Sequence, residues 1–269
     1  MMEEKPVAAR EYPNYFAELA GIRARIAADL PLRAGMSILD LACGYGYFTV
    51  EVARRVPGGK VRAIDIQAGD VECARENAAR SGLADRIDAT VMDATSMSLR
   101  DGEFDMVVNF AGLEDIHMTR GRSGVQQAFR EVRRVLKPGG LFCFAAMPPE
   151  AMETEAQRLE VAVFSYACQA TWLSADDYLQ MLDEVGCEFA GRTDYYTGRK
   201  LAADQAQQEI RFACERVPGL YGVATRAFDD VWRKFGRAIA REGLGHYSKM
   251  VLFRVRAEGT AEESGQSTI

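Results

Sequence analysis

A carboxylate four residues ahead of a glycine pair, Asp40-Leu-Ala-Cys43-Gly44-Tyr-Gly46, stands out among the residues able to do chemistry. Glycines so placed let the chain turn sharply and let a ligand approach the backbone within contact distance. If a helix follows, its first N–H groups lack intrahelical partners and face polar ligand atoms. Asp40 itself can hold that loop and favours a cationic ligand nearby. Two further carboxylates, Asp65 and Asp93, each close a short apolar run. A short carboxylate at a strand's C-terminal end accepts two hydrogen bonds from a ribose diol. A nicotinamide-dinucleotide fingerprint, G-x-G-x-x-G/A, fails here. Thr49 stands in its third small position, behind Tyr47 and Phe48.

These residues need a scaffold that brings strand ends together, and the hydrophobic pattern supplies one. Short apolar runs at 37–43, 60–66, 86–93, 104–112 and 141–147 read as strands. Amphipathic stretches at 47–56, 70–81 and 124–136 read as the helices between them, with 119–124 a solvated loop and Lys137-Pro138-Gly139-Gly140 a turn. Strand–helix alternation at this spacing predicts a parallel sheet with right-handed crossovers and helices on both faces. Open sheets of this kind place their ligand crevice at the strands' C-terminal ends, where Asp65 and Asp93 fall. An amphipathic helix is expected over 13–30. Beyond Met147, helices are expected at 150–170 and 174–185, the second capped by Ser174, and strands at 188–196 and 247–255. The mostly helical stretch 200–245 between those strands reads as a lid or substrate wall. With 150–170 it is rich in aromatics: Phe164, Tyr166, Trp172, Phe212, Tyr221, Phe228 and Trp232.

Taken in order, these segments resemble the class I S-adenosylmethionine-dependent methyltransferases. The Asp40–Gly46 loop is similar to that family's motif I, and REVRRVLKPGGLF to its lead into the fifth strand. The resemblance implies that Asp65, with Ile66 beside it, meets the ribose hydroxyls, and that Asp93 and the Ala94 backbone meet the adenine. It places Asn109 and Phe110 along the methionine part. Beside these, Cys43 reads as a small filler next to the cofactor, and Tyr12 and Tyr15 as closing over it from the N-terminal helix. Glu114, Asp115 and His117 follow the fourth strand, where the family often keeps a substrate-facing group, so Glu114 and His117 are the candidate catalytic residues. The implied fold is α/β: a Rossmann-like seven-stranded sheet, largely parallel with its last strand antiparallel, flanked by helices and topped by a helical cap. One domain is expected over 1–256, with a cap helix at 1–30, the cofactor core at 35–147 and cap elements interleaved with late strands at 148–245. The tail 257–269 is expected to be disordered. The implied activity is methyl transfer from S-adenosylmethionine to a small-molecule acceptor, leaving S-adenosylhomocysteine. Another group transfer from the same cofactor, or a non-catalytic cofactor-binding scaffold, stays open.

Composition narrows the partners. Across 269 residues, Lys+Arg 33 against Asp+Glu 39 leaves a net charge of −6, which argues against broad nucleic-acid or anionic-membrane binding. No apolar run reaches the ~18 residues of a membrane span, and the N-terminus lacks a hydrophobic signal core, so a cytoplasmic protein is expected. Six cysteines without a C-x-x-C pair, and only two histidines, speak for free thiols and against a metal site.

Overall fold

The computed structural model describes residues 19–169 and 172–259. Tyr12, Tyr15 and the tail beyond 259 lie outside the described residues.

Seven strands form one sheet: β1 (Ser37–Leu41), β2 (Lys60–Asp65), β3 (Ile87–Val91), β4 (Phe104–Phe110), β5 (Leu136–Ala146), β6 (Cys187–Tyr196) and, at the end of the described chain, β9 (Lys249–Ala257). Their order is β3-β2-β1-β4-β5-β9-β6. β9 runs antiparallel to both neighbours, and β1 to β5 run parallel. Residues alternate between the two faces of a strand. Ile38 therefore joins the core beneath α1 (Ala20–Ala28) and α2 (Tyr47–Arg54). Leu39 and Leu41 join the opposite core, where Phe129, Phe142, Phe144 and Phe253 pack ring to ring. The β2–β3 crossover is α3 (Ala68–Arg80).

The structure corrects three expected boundaries. α4 spans Leu113–Val135 as two helical pieces joined at Gly121 (φ 67°, ψ −173°), so the expected loop at 119–124 is reduced to a kink at Gly121 with helix on either side. Glycine reaches that conformation without a Cβ clash, and Arg120 and Arg122 are held there by Asp93 and Asp177. Lys137-Pro138-Gly139-Gly140 lies inside β5, where Phe104↔Leu136 and Met106↔Leu141 bracket a shift of register. The last strand spans Lys249–Ala257 rather than the expected 247–255.

Above the sheet's C-terminal edge sit α5 (Glu155–Ala167), α7 (Ala203–Glu215), α8 (Val217–Tyr221) and α9 (Phe228–Glu242), whereas α6 (Ala175–Asp183) packs on the sheet's face, with Tyr178 against Phe129 and Phe144. Helices α5, α7 and α9 share a core of their own that includes Leu159, Val163, Ile210, Val231 and Ile239. A two-stranded stitch, β7 (Lys200–Leu201) against β8 (Leu244–Gly245), ties the two ends of this excursion together. Ser174 caps α6 as the sequence implies, with its hydroxyl accepting from the Asp177 N–H at 3.0 Å.

Candidate functional site

The site begins where β1 and β4 end. Ala42 (φ 51°) and Ala111 (φ 54°) follow these strands in the left-handed region, which costs a non-glycine residue about 1–3 kcal/mol. Asn109 stitches the two turns. Its amide donates to the Leu41 carbonyl at 2.6 Å and accepts from the Gly112 N–H at 3.2 Å. Fully buried and so engaged, Asn109 does not line the cleft, contrary to the role expected for it. It positions residues that do.

The two glycines of the motif prove to have different jobs. A Cβ built on Gly44 (φ 51°) would point into open space, so this backbone is bare toward the cleft. A Cβ on Gly46 (φ 71°) would stand 2.8 Å from the Ala74 Cβ of α3. Gly46 is therefore small for the sake of α2–α3 packing and does not line the cleft. Thr49, the residue that spoiled the dinucleotide fingerprint, donates its hydroxyl to buried Asp40 at 2.5 Å. Burial still pushes the Asp40 carboxyl up to about 7 against that bond, with Asp65 adding repulsion.

Three adjoining chambers with shared walls run along this edge. The first, about 220 Å³, is lined by Asp40, Cys43, Gly44, Asp65, Phe110 and Arg23 among others. Arg23, on α1, lies 5.2 Å from the Tyr47 ring centroid and 5.3 Å from that of Phe110. Among the described residues it is the one guanidinium in this chamber, and the sequence pattern gives no sign of it. On an amphipathic N-terminal helix it reads as an ordinary surface arginine. Asp65 borders the first chamber and the third, a slot of about 50 Å³ lined by Ile66, Met92, Asp93 and Ala94. Its carboxylate accepts from the Gly44 N–H and the Gln67 N–H, each at 2.9 Å. Burial nonetheless raises it above the usual carboxylate range. Asp93 accepts from Thr95 and from Arg120 at 2.7 Å, and these bonds outweigh burial and hold it low.

The second chamber, about 290 Å³, lies under the cap. Glu114 and Met118, one helical turn apart on α4, both face it. His117 turns away from all three chambers, toward Arg122 and Asp177, so of the two candidate catalytic residues only Glu114 lines the cleft. Glu160, Glu209 and His246 line this chamber too. Glu160 was legible in principle, because it shares its helix face with buried Ala156, Val163 and Ala167. Phe164, Trp172, Phe212 and Tyr221 reach the chamber, whereas Tyr166, Phe228 and Trp232 pack in the cap's interior.

Asp115 and Tyr221 border all three chambers. Burial, then repulsion from Glu114, Asp65 and Asp70, pushes the Asp115 carboxyl up to about 8. The donor set suits an elongated ligand with a flat apolar end, a diol, and an amino-acid end whose carboxylate meets Arg23 and whose positive charge meets Asp40 and Asp70. An adenosyl amino acid has these parts, and the residues present fit it.

Comparisons agree with that geometry. Residues 38–140, from β1 into β5, match a family model described as "Methyltransferase domain". The chain is similar to the 27-O-demethylrifamycin SV methyltransferase of Amycolatopsis mediterranei (34% identity over 169 residues, 61% of this chain and 58% of that one). It is also similar to the ubiquinone/menaquinone biosynthesis C-methyltransferase UbiE of Hahella chejuensis (36% over 110 residues, 40% and 42%). The chain thus spans about half the length of the curated relatives it matches. Among solved structures, the [4+2]-cyclase SpnF shares the fold with a TM-score of 0.62 at 21% identity, covering 90% of this chain and 82% of that one.

Proposed function

We propose, on the premise that residues 38–140 belong to the class I S-adenosylmethionine-dependent methyltransferases, that this protein moves a methyl group from S-adenosylmethionine to a small molecule held in the second chamber. The observation that carries the reading is the meeting of all three chambers at Asp115 and Tyr221. A fold alone does not choose a reaction, and one structural neighbour is named as a cyclase. A donor cleft that shares walls with an adjoining acceptor chamber is what group transfer requires.

S-adenosylmethionine supplies a methyl group already activated by its sulfonium. The chain's own residues bind, orient and exclude water. Asp65 receives the ribose hydroxyls, the slot around Ile66, Met92 and Ala94 takes the adenine, and Arg23 pairs with the carboxylate. Asp40 and Asp70, both at about 7 through burial, ionise readily beside a cation. Phe212, Leu220 and Tyr221 come down from the cap over the first chamber, and the Gln67 side-chain amide holds the Leu220 carbonyl at 2.7 Å. Alignment in such an enclosure contributes roughly 7–11 kcal/mol. Glu114 and Asp115, titrating near neutrality, suit any proton the acceptor must lose. Six free thiols fit a reducing, cytoplasmic setting.

Calorimetry with S-adenosylhomocysteine tests the donor site, and methyl transfer from labelled S-adenosylmethionine to a panel of small acceptors tests turnover. Saturable binding is expected. Its absence at millimolar ligand overturns the reading.

A further inference from the structure

We propose that the acceptor is a protonated amine carried on an apolar body, recognised in the second chamber by Glu160, Glu114 and Glu209. This rests on the reading above that the second chamber receives the acceptor. Glu160 is only 2% exposed. One of its oxygens accepts from the Tyr247 N–H at 2.5 Å, and the other, Oε2, is buried without a hydrogen-bond partner among the described residues. Glu114 repeats the arrangement. Its Oε1 takes a long bond of 3.4 Å from the Met147 N–H, and its Oε2 is buried without a partner among the described residues. Leaving a buried acceptor unmatched costs about 1–3 kcal/mol, more for a charged group, so folding alone gives no reason to keep two in one cavity.

The rest of the wall says what would match them. Among the described residues lining this chamber there is no lysine or arginine, while Asp115 and Glu209 add two more carboxyls. Arg199 lies near Glu209 and His246 without lining the chamber, and burial, helped by Arg199, lowers His246 to about 4, so it stays neutral. An anionic acceptor would meet carboxyls on this wall and no lysine or arginine lining it. A hydroxyl offers one donor and no charge. An ammonium offers up to three N–H donors together with the charge that draws these acids into their ionised form. Phe164, Trp172 and Phe212 line the chamber and supply the apolar and aromatic surface that a hydrocarbon body carrying a cation needs. Burial pushes Glu114, Glu160 and Glu209 up to about 7 and Asp115 up to about 8, so one of them can take the proton that the ammonium must release. The nitrogen lone pair then forms the new N–C bond, and sulfur takes back the electron pair of the C–S bond that breaks.

The test measures binding first. With the protein saturated in S-adenosylhomocysteine, calorimetry compares phenethylamine, 2-phenylethanol and 3-phenylpropionate, three probes alike in size and different in charge. The amine is expected to bind at least tenfold tighter than the alcohol, with the carboxylate weakest. That preference should fall several-fold in Glu160→Gln, and also in Glu209→Gln, a second variant that keeps the question answerable if the first misfolds. Equal binding of amine and alcohol, no binding of any probe, or an unchanged preference in the folded variants overturns the amine assignment. Failure of S-adenosylhomocysteine itself to bind overturns the cofactor reading instead, so the two failures are separable.

Discussion

At the scale of single residues, neighbours in the motif loop divide the work. Gly44→Ala places its methyl group in the open cleft. We expect a stability loss of about 1–2 kcal/mol, from the left-handed backbone, together with weaker S-adenosylhomocysteine binding. Gly46→Ala meets Ala74 as well as the same backbone strain, and should cost about 2–4 kcal/mol in chemical unfolding. If Ala74→Gly restores none of that loss, the packing explanation is wrong. Asp65→Ala removes two charge-assisted bonds to a ribose diol, so affinity for S-adenosylhomocysteine should drop by about 2–3 kcal/mol, roughly 30- to 150-fold. The same change frees the Gly44 and Gln67 N–H groups, so a thermal melt must accompany the calorimetry. Undiminished affinity would remove Asp65 from the site.

Among the elements, the cap is a small helical body with an interior of its own and an inner face toward the chambers. Its aromatics separate accordingly. Tyr166 packs edge to face on Phe235, 5.6 Å between centroids, with Arg226 and Lys234 over its ring. Tyr166→Ala should lower stability by about 2 kcal/mol and leave S-adenosylhomocysteine affinity intact in the protein that remains folded. Tyr221→Ala should weaken donor-product binding as well as acceptor binding, because that residue touches every chamber. Phe164→Ala, confined to the second chamber, should affect the acceptor alone. Should Tyr166→Ala and Tyr221→Ala prove indistinguishable in binding and in melting, the division of the cap into interior and inner face does not hold.

Over the whole molecule, enclosed carboxyls make stability depend on pH. Burial raises Asp40, Asp70, Glu114, Glu160 and Glu209 to about 7 and Asp115 to about 8. Between the usual carboxylate range and those values the folded protein binds more protons than the unfolded chain. Stability therefore falls as pH rises through 7 and 8. His246, lowered by burial to about 4, acts oppositely, because its unfolded form takes up protons more readily below its ordinary value. Asp93, Asp105 and Asp177, held low by their partners, matter only in acid. The ligand-free melting temperature should drop from pH 6.5 to pH 8.5. Saturating S-adenosylmethionine, a cation that favours the ionised acids, should flatten the slope. A melting temperature that climbs over that range without ligand would contradict the burial of these groups.

What the sequence determined by itself was whatever local pattern carries. The alternation of apolar runs and amphipathic helices sets the order of β1 to β5, and the spacing Asp40–Gly44–Gly46, then Asp65, places a ligand edge, because strand ends on one side of a parallel sheet must lie together. Ser174 was legible as a cap for the same reason: its bond spans three residues. The tertiary structure decided matters of distance. The jobs of Gly44 and Gly46 diverge only because α3 brings Ala74 to one and nothing to the other. Asn109 became a brace rather than a ligand contact once the two strained turns met at its amide. His117 lies on α4 but off the face that carries Glu114 and Met118 to the second chamber, and the piece of α4 beyond Gly121 is held by contacts of Arg120 and Arg122 with Asp93 and Asp177, 27 and 55 residues away. The second chamber is the clearest case. Glu114, Glu160, Glu209 and His246 lie on separate segments, and no spacing rule relates them until the cap folds onto the sheet.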